Sequence, residues 1–230
     1  VTNKKNIDNL AKKLAKLGIN IISTGGTAKF LRKKNVNVIE IEKITHFPEI
    51  LNGRVKTLHP KIFGGILNRL KIKKDQETIK EFEIPNIDLI IVNLYNFEDS
   101  SNKSKSNKEI IENIDIGGPS LIRAAAKNFE FKTVVVDPND YSELLSQLNK
   151  YGKTDLQFRK YLATKAFELT SNYDSIIQKW FQKSFAKNIE LPDILKFDLK
   201  KTYSMRYGEN PHQKAGMYVT ENTNQGIANA

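Results

Sequence analysis

The chain is 230 residues long, 39% hydrophobic and 27% charged, with 12 glycines and 7 prolines. That balance excludes a disordered, collagen-like or coiled-coil chain, and the length gives room for one large domain plus the start of another. Lys+Arg 37 against Asp+Glu 26 gives a formal charge of +11, and with no cysteine the chain has no disulfides, thiolate metal sites or thiol nucleophiles.

No apolar run approaches the roughly 20 residues that cross a bilayer. Val1 leads into the polar TNKKN stretch, without the charged and then apolar regions of a signal peptide. A cytoplasmic protein with no membrane partner is the expectation. The basic excess is scattered through LRKKN, KIKKD and NKSKSNK, a pattern typical of solvated helix faces. A nucleic-acid partner is not expected, because basic residues interleaved with aromatics are missing. Phosphate-bearing small molecules are the third explanation of the charge.

Short apolar strands alternate with amphipathic helices through the first 150 residues. Ile19–Ser23 reads as a strand, TGGT follows, and a helix is expected around Ala28–Lys34. Val36–Ile41 is the next strand. Gln76–Phe82 has helical spacing that Pro85 must end. Asp88–Tyr95 (DLIIVNLY) is almost continuously apolar, as in a strand covered on both faces. The Ser/Lys/Asn-rich Asp99–Lys108 reads as an exposed loop. Pro119–Asn128 opens with a helix-compatible proline and holds an alanine triplet. Thr133–Val136 is again a buried strand. This order predicts an α/β fold: a mostly parallel sheet flanked by helices. From Leu156 to Phe185, apolar residues recur at spacings of three and four, predicting a long amphipathic helix. A boundary is expected near Leu191–Lys200, beyond which about 30 residues are too few for an independent core.

Several motifs suit chemistry. In Ser23-Thr-Gly-Gly-Thr27 the glycines let the backbone approach an anion, and the following helix start supplies free N–H groups; a capped tight turn is the simpler alternative. In Asn52-Gly-Arg-Val-Lys-Thr-Leu-His-Pro60, Arg54 and Lys56 are two apart, so an extended chain points both to one side, with Thr57 alongside. His59, with no second histidine or carboxylate cluster to support a metal, reads as structural. Asn93 and Tyr95 close the best strand, where open α/β sheets bind ligands. Asp115-Ile-Gly-Gly118 precedes a helix on which Arg123 and Lys127 share a face. Lys127 follows the alanine triplet, and desolvation beside that apolar face would make it a usable acid/base.

Together STGGTAKFL, ITHFPEILNGRVKTLHPKIFGGIL, DLIIVNLYNF, IDIGGPSLIRAAAKN and SMRYGENPHQ strongly resemble the bifunctional purine-biosynthesis family that combines IMP cyclohydrolase with AICAR transformylase. The blocks match in order and spacing across nearly the whole chain. The resemblance implies a methylglyoxal-synthase-like cyclohydrolase domain over residues 1–190, including the long helical segment. Residues 191–230 are then a linker and the incomplete start of the transformylase domain. Family members typically begin with a Met and a short apolar strand ahead of the segment matching VTNKKNI.

The implied reaction closes the purine ring of 5-formamidoimidazole-4-carboxamide ribonucleotide, with loss of water, to give IMP. It needs no metal or cofactor; 10-formyltetrahydrofolate is the co-substrate of the second activity. The resemblance assigns proton transfer at the formyl oxygen to Lys127, carboxamide orientation to Tyr95 and Asp115, and contact with developing charge to Lys56. Substrate contacts fall on Thr2, Asn3, Lys4, Thr24, Gly25, Gly26, Thr27, Arg54, Thr57, Asn93, Ile116 and Gly117, with Asn3 standing where the family has Asp. Arg206 and Tyr207 match contacts of the second activity. A homodimer is implied. The alternative is a methylglyoxal-synthase-like allosteric or phosphate-binding module, which shares the glycine turn but not the Tyr95, Asp115–Lys127 and RYGENPHQ combination.

Overall fold

The computed structural model describes residues 1–94, 97, 106–185 and 199–219. It divides into two compact units, Val1–Ser184 and Phe185–Ala230.

In the first unit, helix α1 (Ile7–Lys16) buries Ile7, Leu10, Ala11 and Leu14, the i, i+3, i+4, i+7 stripe of a one-faced helix. Strand β1 (Ile22–Ser23) enters α2 (Gly25–Lys33), which returns the chain to β2 (Ile39–Glu40) in parallel register, Ile22 opposite Ile39. Short helices α3 (Glu42–Thr45), α4 (Pro60–Leu67) and α5 (Lys73–Glu81) follow. Strand β3 (Leu89–Ile91) pairs in parallel with β4 (Thr133–Val135). The connection between them includes α6 (Asn107–Glu112) and α7 (Gly117–Lys127). Helices α8 (Tyr141–Tyr151) and α9 (Leu156–Phe185) complete the unit.

Alternation along the strands builds two cores. Leu89, Ile91 and Val135 pack with α1, α2 and α8, around Leu10, Leu31 and Leu144. The intervening Ile90 and Val134 turn to the other side and meet Ile62 and Ile66 of α4, the alanines of α7, and Ala163 and Ala166 of α9. The strands are therefore covered on both faces by helices, which the apolar run from residue 88 requires. Ala125 and Ala126 have no exposed surface; their lack of bulk lets α7 lie close to the strands. Phe97 and Tyr173 join a third, smaller cluster with Ile110.

The strands are shorter than expected. Ladder pairing covers Ile22–Ser23, Ile39–Glu40 and Leu89–Ile91, because hydrophobic period locates a strand but cross-strand partners decide its length. The expected helix at Ala28–Lys34 begins earlier, at Gly25. The stretch expected to be a loop through Lys108 becomes helical at Asn107, where the Ser106 hydroxyl caps the Glu109 amide. Residues 99–105 of that stretch lie outside the described residues. The long helix Leu156–Phe185 is as expected.

In the second unit, β5 (Lys200–Met205) and β6 (Ala215–Val219) form an antiparallel pair with a register shift between Lys201 and Tyr203. The Gly208 amide donates to the Gln213 carbonyl, closing the intervening turn.

Candidate functional site

The glycine turn stands at the carboxyl end of β1. Thr24 is extended (φ −121°, ψ 157°), Gly25 lies in the left-handed region (φ +47°), and α2 starts there. The first helical amide bond runs from Ala28 N to the Thr24 carbonyl, so the amides of Gly25, Gly26 and Thr27 precede it and have no intrahelical acceptor. The Thr24 side chain makes no capping bond. The Thr27 hydroxyl donates to the Val1 carbonyl at 3.1 Å and accepts from the Val1 amino group at 3.4 Å.

Lys56 reaches this turn. A Cβ at Gly25 would lie 3.8 Å from Lys56 Nζ. The ammonium also pairs with Glu49 at 2.8 Å, and the pair folds over Gly53. A Cβ at Gly53 would come within 2.5 Å of Lys56 Cε and 2.6 Å of Glu49 Oε1, and the residue has φ +88°. Both facts call for glycine. Leu51 and Asn52 precede it, also at positive φ.

Arg54 does not share a side with Lys56. Its backbone is helical (φ −65°, ψ −27°) rather than extended, and its guanidinium makes a two-toothed pair with Glu112 of α6, Nε to Oε2 at 3.1 Å. The expectation of two convergent cations rested on an extended chain, which this segment lacks. Thr57 turns toward α7: a Cβ at Gly117 would sit 3.0 Å from its hydroxyl. The His59 ring nitrogen accepts from the Lys61 amide at 3.1 Å and caps α4, a structural role.

The N-terminal segment lies over the end of β3. The buried Asn93 accepts at Oδ1 from the Thr2 amide (2.7 Å), the Thr2 hydroxyl (3.0 Å) and the Asn3 amide (3.1 Å), and its Nδ2 donates to the Asn3 carbonyl. Asn93 thus holds Thr2 and Asn3 in place. The contacts to Asn3 are made by its backbone, so they survive an Asp-to-Asn exchange. Lys4 is exposed, with its ammonium 6.0 Å from the Phe30 ring centre.

Asp115 organises the start of α7. Its Oδ1 accepts from the Gly118 amide at 2.8 Å, and its own amide donates to the Tyr173 hydroxyl at 2.7 Å. A Cβ at Gly118 would fall 2.4 Å from Asp115 Oδ2 and 2.8 Å from Leu94 Cδ2, so this glycine is required by close approach. Ile116 is 59% exposed at the cap position. Burial pushes the Val1 amino group down, helped by the charge of Lys4 and opposed by that of Asp115.

A connected set emerges: Thr2 and Asn3 on Asn93, Thr27 on Val1, Lys56 at Gly25, Thr57 at Gly117, and Asp115 at Gly118. Tyr95 lies outside the described residues. Lys127 is exposed at the last turn of α7, without the apolar surroundings expected for it. Ten residues separate it from Gly117, about 15 Å along a helix axis; a last-turn lysine complements the helix dipole. Arg123 is also exposed and lies 5.7 Å from the Phe167 ring centre. Arg206 and Tyr207 are exposed residues just after β5 in the second unit. Glu49, Glu112 and Tyr173 were not singled out from the sequence. Glu49 sits inside the FPEILNGRVKT block and was open to notice; Glu112 and Tyr173 are 58 residues from their partners, and nothing local marks them.

Short parallel strand pairs between helical layers, with a glycine turn and converging loops at their carboxyl ends, define an MGS-like α/β domain. The MGS-like domain family matches residues 6–120, and the AICARFT/IMPCHase bienzyme family matches residues 125–230. The bifunctional purine biosynthesis protein PurH of Thermoanaerobacter sp. (strain X514) is 48% identical over 230 residues, covering 99% of this chain and 45% of that protein. PurH of Aquifex aeolicus (strain VF5) is 48% identical over 235 residues, covering 100% and 45%. A solved structure, described as the crystal structure of ForH, superposes with a TM-score of 0.69 at 35% identity, covering 78% of this chain and 94% of that one. The chain belongs to the bifunctional purine biosynthesis family, as an MGS-like domain running into the AICARFT/IMPCHase bienzyme region. It spans about half the length of the curated relatives it matches. Among the described residues, no helix is long and apolar enough to cross a membrane.

Proposed function

We propose that this chain carries IMP cyclohydrolase activity, with residues 1–190 as the cyclohydrolase domain and residues 191–230 as the start of the transformylase domain. One observation carries the reading: Lys56 at Gly25 and Thr57 at Gly117 draw the TGGT, RVKT and DIGG segments to one place. The reaction suits that arrangement. The carboxamide nitrogen attacks the formyl carbon and a C–N bond forms. The formyl oxygen leaves as water with two protons, one given up by the attacking carboxamide nitrogen and one by the formamido nitrogen, which becomes doubly bonded to the former formyl carbon. The phosphate rests on the open amides of Gly25 and Gly26. Holding the formyl group against the carboxamide lowers the entropic part of the barrier.

An ammonium beside the developing negative charge on the formyl oxygen stabilises the transition state. The resemblance assigns that oxygen to Lys127, but its exposed place at the far end of α7 favours Lys56 instead. Asp115, fixed by the Gly118 and Tyr173 contacts, orients the carboxamide, with Tyr95 as its partner. The transformylase half uses 10-formyltetrahydrofolate as co-substrate, and Arg206 and Tyr207 belong to its substrate contacts. The full-length protein is, on this reading, a cytoplasmic homodimer.

The test is incubation of the chain with the formamido ribonucleotide, following the absorbance change of IMP formation. Turnover well above the uncatalysed rate is expected. Phosphate or nucleotide binding without turnover would instead identify a phosphate-binding module of the methylglyoxal-synthase-like kind.

A further inference from the structure

We propose that Glu49 is a resident carboxylate that an anionic ligand must displace from Lys56, so that Glu49 sets the affinity of the site; the proposal rests on Lys56 being part of the ligand site. The 2.8 Å pair lies on Gly53, where φ +88° and the absence of a side chain let the two chains close over the backbone. Glu49 therefore meets Lys56 through a glycine-dependent loop shape. The same ammonium stands 3.8 Å from where a Cβ at Gly25, the first residue of the glycine turn's helix, would lie. A carboxylate there does two things to an arriving anionic nucleotide: it occupies the ammonium that the proposed reaction needs, and it repels the incoming negative charge. Arg54, the other cation of the segment, is engaged by Glu112, so Lys56 is the charge the turn has at hand.

A merely structural role has the opposite consequence. If Glu49 served only to aim Lys56 at the turn, removing its charge would loosen the ammonium and weaken binding. The sign of the effect separates the two.

The experiment measures IMP binding by calorimetry for the full 230-residue chain and its Glu49→Gln, Glu49→Ala, Lys56→Met and Glu49→Gln/Lys56→Met variants. The Glu49 side chain is 39% exposed, and thermal unfolding verifies that each variant folds. Release of an exposed ion pair is expected to tighten IMP binding about two- to five-fold in both Glu49 variants. The gain should shrink as NaCl is raised and vanish in the Lys56→Met background. Unchanged or weaker binding in the Glu49 variants, with Lys56→Met weakened, overturns the proposal alone. Binding unaltered by Lys56→Met overturns the site reading beneath it as well.

Discussion

The amide of Asp115 donates to the hydroxyl of Tyr173 at 2.7 Å, joining the DIGG segment to the middle of a 30-residue helix. Tyr173 is 5% exposed and meets Phe97 edge to face at 6.4 Å, so its ring cannot follow a shift of the loop. Burial pushes the phenol up from its ordinary range, and the neighbouring Asp115 and Asp174 charges add to this against the pull of the Asp115 amide. The hydroxyl stays protonated, and the helix fixes where Asp115 begins.

Tyr173→Phe keeps the ring and leaves the Asp115 amide without its partner. A loss of about 1–3 kcal/mol is expected for a stranded, partly buried donor, read as a lower midpoint in urea. Turnover should fall further than stability alone explains, because Asp115 loses its reference point. Unchanged turnover would show that the helix contact does not position the loop.

Gly118→Ala places a methyl group 2.4 Å from Asp115 Oδ2 and 2.8 Å from Leu94. The carboxylate must move, at about 1–3 kcal/mol for an overpacked position. Cyclohydrolase kcat is expected to drop at least about ten-fold, the sensitivity of well-aligned reactions to small displacements. Kinetics on the folded variant check this; a wild-type kcat would mean that Asp115 need not stand where it does.

Lys165 on α9 bridges Asp137 (2.8 Å) and Asp140 (2.6 Å), joining the turn after β4 to the long helix. Burial acts to lower the lysine, but the bonds to both carboxylates outweigh it and hold the group above its ordinary range. The Lys165 bond also holds Asp137 below the ordinary carboxylate range. The signs follow from linkage. The Asp137 contribution is present above about pH 4 and is lost as pH falls through its folded value; that of Lys165 is present below about pH 10 and is lost as pH rises through its own. Lys165→Met should cost about 2 kcal/mol at neutral pH and flatten the acid limb of a plot of Tm against pH. An unaltered acid limb would assign the acid sensitivity elsewhere.

Much of the fold was legible from sequence. The apolar run from Asp88 gives a strand covered on both faces, and Ile90 and Val134 indeed turn from Leu89 and Val135 toward a second core. The long helix follows from its apolar spacing over several turns. Less visible were α1, α4 and α8, because short or mixed stripes such as Ile62 and Ile66 become decisive only when packed. In the candidate site, local signals marked the glycine turn and the Asp115–Gly118 segment. The same signals misplaced Arg54, since an i, i+2 argument holds only for extended backbone and Arg54 is helical. Lys127 was judged by its alanine neighbours, but those alanines face the core while the lysine faces water. Long-range pairs such as Arg54–Glu112 and Asp115–Tyr173 leave no mark on local sequence.

The most direct measurement compares cyclohydrolase kcat/KM for Lys56→Ala and Lys127→Ala under identical conditions. Loss of an ammonium beside developing charge is expected to lower the rate by about 10²–10³ in Lys56→Ala, with Lys127→Ala within a few-fold of the wild type. Wild-type turnover in Lys56→Ala, or collapse confined to Lys127→Ala, would contradict a reaction centred on the glycine turn.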